Sequence, residues 1–354
     1  MSPTGRPEGE YRSAQHEGTP VNLDAYARLD ALPRERLGFL PTPLVEAPQL
    51  ARAIGVPQLW IKHDELIGFG FGGNKVRGLE LLMADARARG ADVVVTGAGA
   101  QSNHVRATAA AAAHAGMEAV AAYWGEAPEQ AQGNLRLSRL LGAQTRFTHS
   151  ADRAQVDAAI AGIASELRAA GRRPYAIPRG GACALGVLGH VLAARELHRQ
   201  CASMKLTPGT IFLAVGSGAT LAGWLLGSAL LGAKWQIEGV TVSRPAPEVR
   251  ARVVALAAEA AALLAMPAEI AETDVVVHEG HIGAGYGVPT AAGDAAIVLA
   301  ARAQGVFFDP TYTGKALAGL IALAAQGRYA NRGPLVFLHT GGEPALFAQG
   351  ARAP

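Results

Sequence analysis

Four segments carry residues whose types and spacing could do chemistry. In Gly72-Gly73-Asn74-Lys75-Val76-Arg77 a lysine follows paired glycines. Kept from water, its ammonium releases a proton more easily, and the free amine is a nucleophile for carbonyl chemistry. The same spacing also suits a solvated lysine at a helix start. In Thr96-Gly97-Ala98-Gly99-Ala100-Gln101-Ser102-Asn103-His104 a strand-like run passes through small residues into a helix. The N–H groups at that point could bind a carboxylate or phosphate, or Ser102 or Asn103 could simply cap the helix. These glycines stop short of G-x-G-x-x-G because Ser102 holds the last position, which argues against a nicotinamide site.

Val215-Gly216-Ser217-Gly218-Ala219-Thr220 again links a strand to a helix and forms a candidate anion nest, without a Walker lysine. The fourth group is C-terminal: Gly285-Tyr286-Gly287-Val288-Pro289, Asp309-Pro310-Thr311-Tyr312-Thr313-Gly314-Lys315 and His339-Thr340-Gly341-Gly342. Tyrosines in such loops can be aromatic platforms or proton donors, or ordinary packed side chains. All four groups are expected at the ends of strands, where α/β proteins bind ligands.

The elements that must position them alternate short apolar runs with longer Ala/Leu/Arg runs. Strands are predicted over residues 92–96, 117–123, 144–147, 210–215, 237–242 and 335–338. Helices are predicted over 78–89, 102–115, 134–141, 185–200, 221–231 and 248–264. This rhythm implies βαβ units, an α/β class, and mostly parallel strands in two sheets. No repeat of fixed period is present.

Composition bounds the rest. The chain has 354 residues, half of them hydrophobic and 17% charged, so it can bury a core and is not disordered overall. Lys and Arg number 32 against 29 Asp and Glu, with no basic stripe, which excludes a nucleic-acid surface. Two cysteines, Cys183 and Cys201, make neither a disulfide framework nor a zinc cluster, and no metal site is expected. Residues 1–20 are polar, lack a signal-peptide core and read as a mobile tail. Residues 211–233 carry no charge, but Gly216-Ser217-Gly218 interrupts them, so a buried strand, turn and helix are expected rather than a membrane span. A soluble cytoplasmic protein follows as the expectation.

Taken in order, these motifs resemble pyridoxal-phosphate enzymes of the tryptophan synthase β fold type (fold type II). Within them the chain is most similar to the D-cysteine desulfhydrase and 1-aminocyclopropane-1-carboxylate (ACC) deaminase family. The resemblance covers about residues 37–347 and rests on Pro41-Thr42-Pro43-Leu44, Gly-Gly-Asn-Lys, Gln-Ser-Asn-His-Val-Arg and Pro178-Arg179-Gly180-Gly181. It continues through the Gly-Ser-Gly loop, Gly-Tyr-Gly-Val-Pro and Asp-Pro-Thr-Tyr-Thr-Gly-Lys-Ala.

The resemblance implies two three-layer parallel-sheet sandwiches. A smaller domain, residues 71–175, would be inserted into a larger one made of 21–70 and 176–354, with the cofactor between them and a homodimer as the assembly. It implies that Lys75 holds pyridoxal phosphate as a Schiff base and moves the substrate's Cα proton. Asn103 would meet the phenolic oxygen and Asn74 would support the same pocket. The substrate carboxylate would lie against Gln101, Ser102, Asn103 and His104. Val215, Gly216, Ser217, Gly218, Ala219 and Thr220 would hold the phosphate. Tyr312 would stack on the ring, Tyr286 would face the substrate, and Thr340 would lie near the ring nitrogen.

ACC deaminases carry Glu after the stacking tyrosine and Leu before the late Gly-Gly. This chain has Thr313 and Thr340, the desulfhydrase-like choice. A neutral hydroxyl leaves a weaker electron sink, sufficient when a good leaving group departs from Cβ. The implied reaction is α,β-elimination on a small amino acid, D-cysteine giving pyruvate, hydrogen sulfide and ammonia. ACC deamination, L-cysteate desulfonation and a catalytically weak pyridoxal-phosphate or amino-acid-binding protein are the alternatives. Departures from the family include Gly78 where a phosphate-side lysine is usual, with Arg77 adjacent. Others are Ala182-Cys183 in the Gly-Gly-Ser-Asn pattern, Thr290 after Gly-Val-Pro, and Gly68-Phe69-Gly70-Phe71 ahead of the lysine.

Overall fold

Short β-branched and alanine-rich runs become strands, and the longer apolar-periodic runs between them become the helices that cover the sheets. The computed structural model describes residues 22–267 and 270–348; the tail expected over residues 1–20 lies outside the described residues. In chain order the strands are β1 (Leu44–Glu46), β2 (Leu59–His63), β3 (Val93–Ala98), β4 (Glu118–Tyr123) and β5 (Gln144–Phe147). They continue with β6 (Pro174–Ala176), β7 (Thr210–Val215), β8 (Gln236–Thr241), β9 (Val276–His278) and β10 (Leu335–His339). The helices are α1 (Leu23–Ala31), α2 (Pro48–Ile54), α3 (Lys75–Ala88), α4 (Asn103–Ala115), α5 (Gly133–Leu140) and α6 (Gln155–Ala169). After them come α7 (Ala184–Met204), α8 (Ala219–Leu231), α9 (Ala246–Leu263), α10 (Ala291–Gln304) and α11 (Thr313–Ala325).

Two sheets result, as the strand rhythm predicts. One has six strands in the order β1-β2-β10-β7-β8-β9, and the other four in the order β5-β4-β3-β6. Every pairing is parallel except β1 with β2, at the edge of the larger sheet.

Alternation along the strands supplies two buried faces per sheet. Ile211, Leu213 and Val215 of β7 pack among the residues of α7, α8 and α9, while Phe212 and Ala214 join α2, α10 and α11. In the smaller sheet Val94 faces α3 and α4, and Val93 and Val95 face α6. Both sheets are thus the middle layers of three-layer sandwiches.

Helix α3 begins at Lys75, three residues before the expected start, because the turn that reverses the chain ends at Gly73. Gly72 has φ 69° and a side chain there would lie 1.8 Å from the Glu65 carbonyl oxygen, so this turn admits glycine alone. Strand β2 carries Lys62 in the middle of an apolar run and is not legible as a strand for that reason. The Lys62 ammonium is fully buried and bonds the Thr42 carbonyl, Glu196 and Gln200. The uncharged stretch 211–233 forms β7, the glycine turn and α8. Among the described residues no helix is long and apolar enough to cross a membrane.

Helix α7 meets α3 and α8 through glycines. A Cβ on Gly78 would lie 2.8 Å from the Gly186 carbonyl oxygen, and one on Gly189 would lie 2.4 Å from the Arg77 carbonyl oxygen. On the other side of α7, Gly223 and Gly227 of α8 press against His190 and Ala194.

Candidate active site

The ends of β3, β7 and β10 and the start of α3 converge on one partly open cavity. At the end of β3, Ser102 caps α4, its Oγ accepting the Val105 N–H at 3.3 Å. The capping reading of Ser102 therefore holds, and the same residue also lines the cavity. At the end of β7, residues 216–218 turn the chain into α8, with Gly218 at φ 93° and no side chain capping the helix.

Lys75 stands at the first turn of α3 and its Nζ donates to the Gly180 carbonyl oxygen at 3.3 Å. No carboxylate pairs with it among the described residues. Burial alone pulls its pKa down to about 8, which makes the free amine accessible near neutrality.

Opposite lie the two tyrosines. Their hydroxyls share a hydrogen bond, and their rings meet edge-to-face with centroids 5.7 Å apart. The Tyr312 ring approaches to 3.3 Å from the Cβ position of Gly216, which is why that position is bare. Burial pushes the Tyr286 hydroxyl up to about 12 and raises that of Tyr312 well above its ordinary value, so both are protonated at neutral pH.

A fixed polar frame holds these groups. The Asn74 amide donates to Thr220 Oγ1 at 2.9 Å and its backbone N–H to the Thr340 carbonyl at 3.1 Å. Asn103 Oδ1 accepts from Asn134 at 2.9 Å, and Arg106 Nε donates to Asn134 Oδ1 at 2.8 Å. His104 Nε2 pairs with Thr96 Oγ1 at 3.1 Å. Burial, reinforced by Lys75, holds its pKa at about 3, so it stays neutral.

The sequence of the chain matches the pyridoxal-phosphate dependent enzyme family over residues 36–341. The chain belongs to that family. A D-cysteine desulfhydrase of Salmonella paratyphi C (strain RKS4594) is 40% identical over 325 residues, 90% of this chain and 97% of the relative. The corresponding protein of Salmonella newport (strain SL254) is equally similar over the same shares. A solved ACC deaminase homologue is 35% identical, covers 92% of this chain and 96% of its own, and superposes with a TM-score of 0.85. A solved T.th. threonine deaminase, 19% identical with a TM-score of 0.64 over 91% of this chain and 98% of its own, shares the fold. The fold is that of fold type II pyridoxal-phosphate enzymes, and pyridoxal phosphate is the cofactor.

The cavity of this pyridoxal-phosphate enzyme suits that cofactor. Ser217 Oγ is buried in the glycine turn after β7 with no hydrogen-bond partner, a donor waiting for an anion at a helix N-terminus. An aromatic ring, Tyr312, lies beside that turn, and the Lys75 amine is across from it.

The structure gathers Lys75, Asn74, Ser102, Asn103, His104, Val215, Gly216, Ser217, Gly218, Thr220, Tyr286, Tyr312 and Thr340 around the cavity. Three expected residues are not on its wall. The Gln101 amide is taken up at the start of α5, accepting from Asn134 N and donating to the Gln132 carbonyl. The Thr313 hydroxyl turns away to Asp309 Oδ1 at 2.8 Å, so it cannot set the charge beside a ring nitrogen. Ala219, the first residue of α8, is turned into the core.

Nor does Arg77 add charge to the site beside Gly78. It is buried and held by Asp64 at 2.6 Å and Glu196 at 2.9 Å. The first motif also follows a loop rather than a strand end, since β2 stops at His63.

Sequence reasoning missed Trp124, Arg153, Ser243 and Arg244 on the wall, and gave no role to Arg179 of the Pro-Arg-Gly-Gly motif. Trp124 and Ser243 follow closely on β4 and β8, so the strand-end rule applied to every strand would have found both. Arg153 lies in the loop before α6 and has no motif to mark it.

Proposed function

We propose that the enzyme carries out α,β-elimination on a small amino acid, D-cysteine by preference, consuming one water and releasing pyruvate, hydrogen sulfide and ammonia. The observation that carries this reading is the Lys75 amine, facing the cavity without an acidic partner among the described residues and with its pKa pulled to about 8. The D-cysteine desulfhydrases at 40% identity support the substrate, as does the neutral Thr340 on the cavity wall.

Bound pyridoxal phosphate supplies an electron sink for the pair left at Cα. Residues 215–218 and Thr220 would cradle its phosphate, Tyr312 would pack against its ring, and Asn103, with Oδ1 already engaged by Asn134, would offer its Nδ2 to the phenolic oxygen. The backbone N–H groups at the start of α4, beside Ser102, hold the substrate carboxylate. Lys75 Nζ, as a free amine, takes the Cα proton. The Tyr286 hydroxyl, bonded to that of Tyr312, donates a proton to the departing sulfur. Trp124 and Tyr286, 5.3 Å apart edge-to-face, close the wall against water.

On the same reading the protein is a cytoplasmic homodimer in which residues 71–175 form the inserted domain. The strands of the smaller sheet fall almost wholly within that span. The exposed Leu66, Phe71 and Phe307 gather on one groove, an apolar patch that a second copy would cover.

The test is turnover by purified, cofactor-loaded protein of D-cysteine, ACC, D-serine, 3-chloro-D-alanine and L-cysteate side by side. Pyruvate and sulfide should form fastest from D-cysteine. Absence of sulfide release from it would overturn the substrate and leave the family membership intact.

A further inference from the structure

The turn 216–218 is surrounded by guanidinium groups. Arg252 of α9 donates Nε to the Ser217 carbonyl at 2.8 Å. Arg179 precedes Gly180, whose Cβ position lies 2.8 Å from the Ser217 side chain. Arg153 donates Nη1 to the Ser243 carbonyl at 3.1 Å, and Ser243 Oγ donates to the Gly216 carbonyl at 3.0 Å. Arg244 follows Ser243, and it lines the cavity with Arg153 and Arg179.

Only two carboxylates pair with this group among the described residues. Asp157 holds Arg179 through two bonds of 2.7 and 2.6 Å, and Glu248 pairs with Arg244. Both acids have about half of their side chain in water, so solvent weakens their hold. Four guanidiniums (Arg153, Arg179, Arg244, Arg252) against two carboxylates leave two positive charges over. The excess is felt within the group: burial first, then Arg244 and Arg179, depress both Arg153 and Arg252.

Ser217 Oγ, buried and without a partner, sits in the middle of this group. A dianion placed there satisfies that hydroxyl and cancels the surplus. The carboxylate of a zwitterionic substrate brings a single charge. Position 78 on α3 cannot supply a cation, because its Cβ would run into the Gly186 carbonyl at 2.8 Å, and Arg77 is already neutralised by Asp64 and Glu196.

We propose that Arg179 and Arg244 carry the charge of the cofactor's phosphate, with Arg252 bracing the turn, in place of a cation on α3. This rests on the reading of 215–220 as the phosphate cradle. Guanidinium forks suit a phosphate better than a single ammonium would, since each presents paired donors. The two arginines approach from different sheets: Arg179 follows β6 and Arg244 follows β8. The phosphate therefore ties the sheets together.

The experiment strips the protein of cofactor and titrates it with pyridoxal phosphate and with pyridoxal, which lacks the phosphate, following the absorbance of the lysine-linked form. In Arg179→Gln the Kd for pyridoxal phosphate should rise about tenfold, while that for pyridoxal stays within about twofold. Arg244→Gln should show the same asymmetry, and Arg179→Lys should recover part of the loss. Raising salt should weaken pyridoxal phosphate binding more in the parent than in Arg179→Gln. Equal losses for both ligands, or an unchanged Kd for pyridoxal phosphate in both glutamine variants, would overturn the proposal. Failure of D-cysteine turnover with this asymmetry intact would strike the substrate reading alone.

Discussion

Lys75 Nζ lies 3.3 Å from the Gly180 carbonyl oxygen, and Gly180 itself is pressed against Ser217. On the proposed reading one residue thus meets both ends of the cofactor's span: the amine that would bind its aldehyde and the turn that would face its phosphate. Replacing Lys75 with Ala is expected to remove the yellow absorbance of the lysine-linked cofactor and to lower turnover by about 10²–10⁴-fold. Borohydride reduction followed by peptide mass mapping checks it. A reduced adduct on another side chain would be incompatible with the site.

The lowered pKa of Lys75 gives a pH dependence with a definite sign. Below about 8 its nitrogen is protonated and has no lone pair to offer; above it the free amine dominates. The rate at which added pyridoxal phosphate becomes lysine-linked should therefore climb with pH and level off above about 8. Stopped-flow absorbance across that interval reads it. A midpoint at the ordinary lysine value of 10.5 would contradict burial as the cause.

Gly78→Ala places a methyl group 2.8 Å from the Gly186 carbonyl oxygen and 3.3 Å from its Cα. Both neighbours are backbone and cannot swing aside, so the helices must part, at about 1–3 kcal/mol. Thermal and urea unfolding should report this loss. An unchanged melting temperature would mean that the α3–α7 contact is looser than described.

Asp309 is buried and accepts from the backbone N–H groups of Thr311, Tyr312 and Thr313 and from the Thr313 hydroxyl. It therefore sets the position of the Tyr312 ring. Asp309→Asn weakens these charge-assisted bonds, at about 1.5–3 kcal/mol of stability, and should raise the Kd for pyridoxal phosphate by loosening the ring. Calorimetry and cofactor titration test the two parts. Lost stability with unaltered cofactor affinity would separate Asp309 from Tyr312.

Tyr286→Phe removes the hydroxyl bonded to Tyr312 and leaves the ring that packs on Trp124. Turnover should fall by about 10²-fold with little change in cofactor affinity, because the ring still closes the wall. Full activity in this variant would reassign the proton donor.

Much of the fold was legible because several of its strands are uninterrupted apolar runs. The run 210–215 coincides with β7, whereas the largely polar Gln-Thr-Arg-Phe of β5 was read from its place in the strand–helix rhythm. What escaped depends on contacts remote in sequence. Lys62 makes β2 look half-polar until Glu196 and Gln200 on α7 are brought to it. In the site, local chemistry left Lys75, Asn103, Ser217, Tyr286 and Tyr312 open between functional and ordinary roles, and only the order of the motifs, through the family resemblance, put them together; they do share one cavity. Gln101 and Thr313 were misplaced because nearby partners, Asn134 and Asp309, claim their polar atoms. Arg153 and Arg244 escaped because a guanidinium on a loop carries no spacing rule, and only folding brings Arg153 onto Trp124 and Tyr286, 5.5 and 5.4 Å from their rings.

The glycine contacts of α7 with α3 and α8 fix a gauge between the two ends of the cofactor. Backbone abuts backbone at Gly78 and Gly186, and Gly223 rests on the His190 Cβ at 2.4 Å from its own Cβ position. No side chain at these joints can be lengthened or trimmed to retune the spacing. Diversification toward bulkier or differently shaped substrates is thereby channelled to the opposite bank, where Trp124 can be exchanged without disturbing these joints.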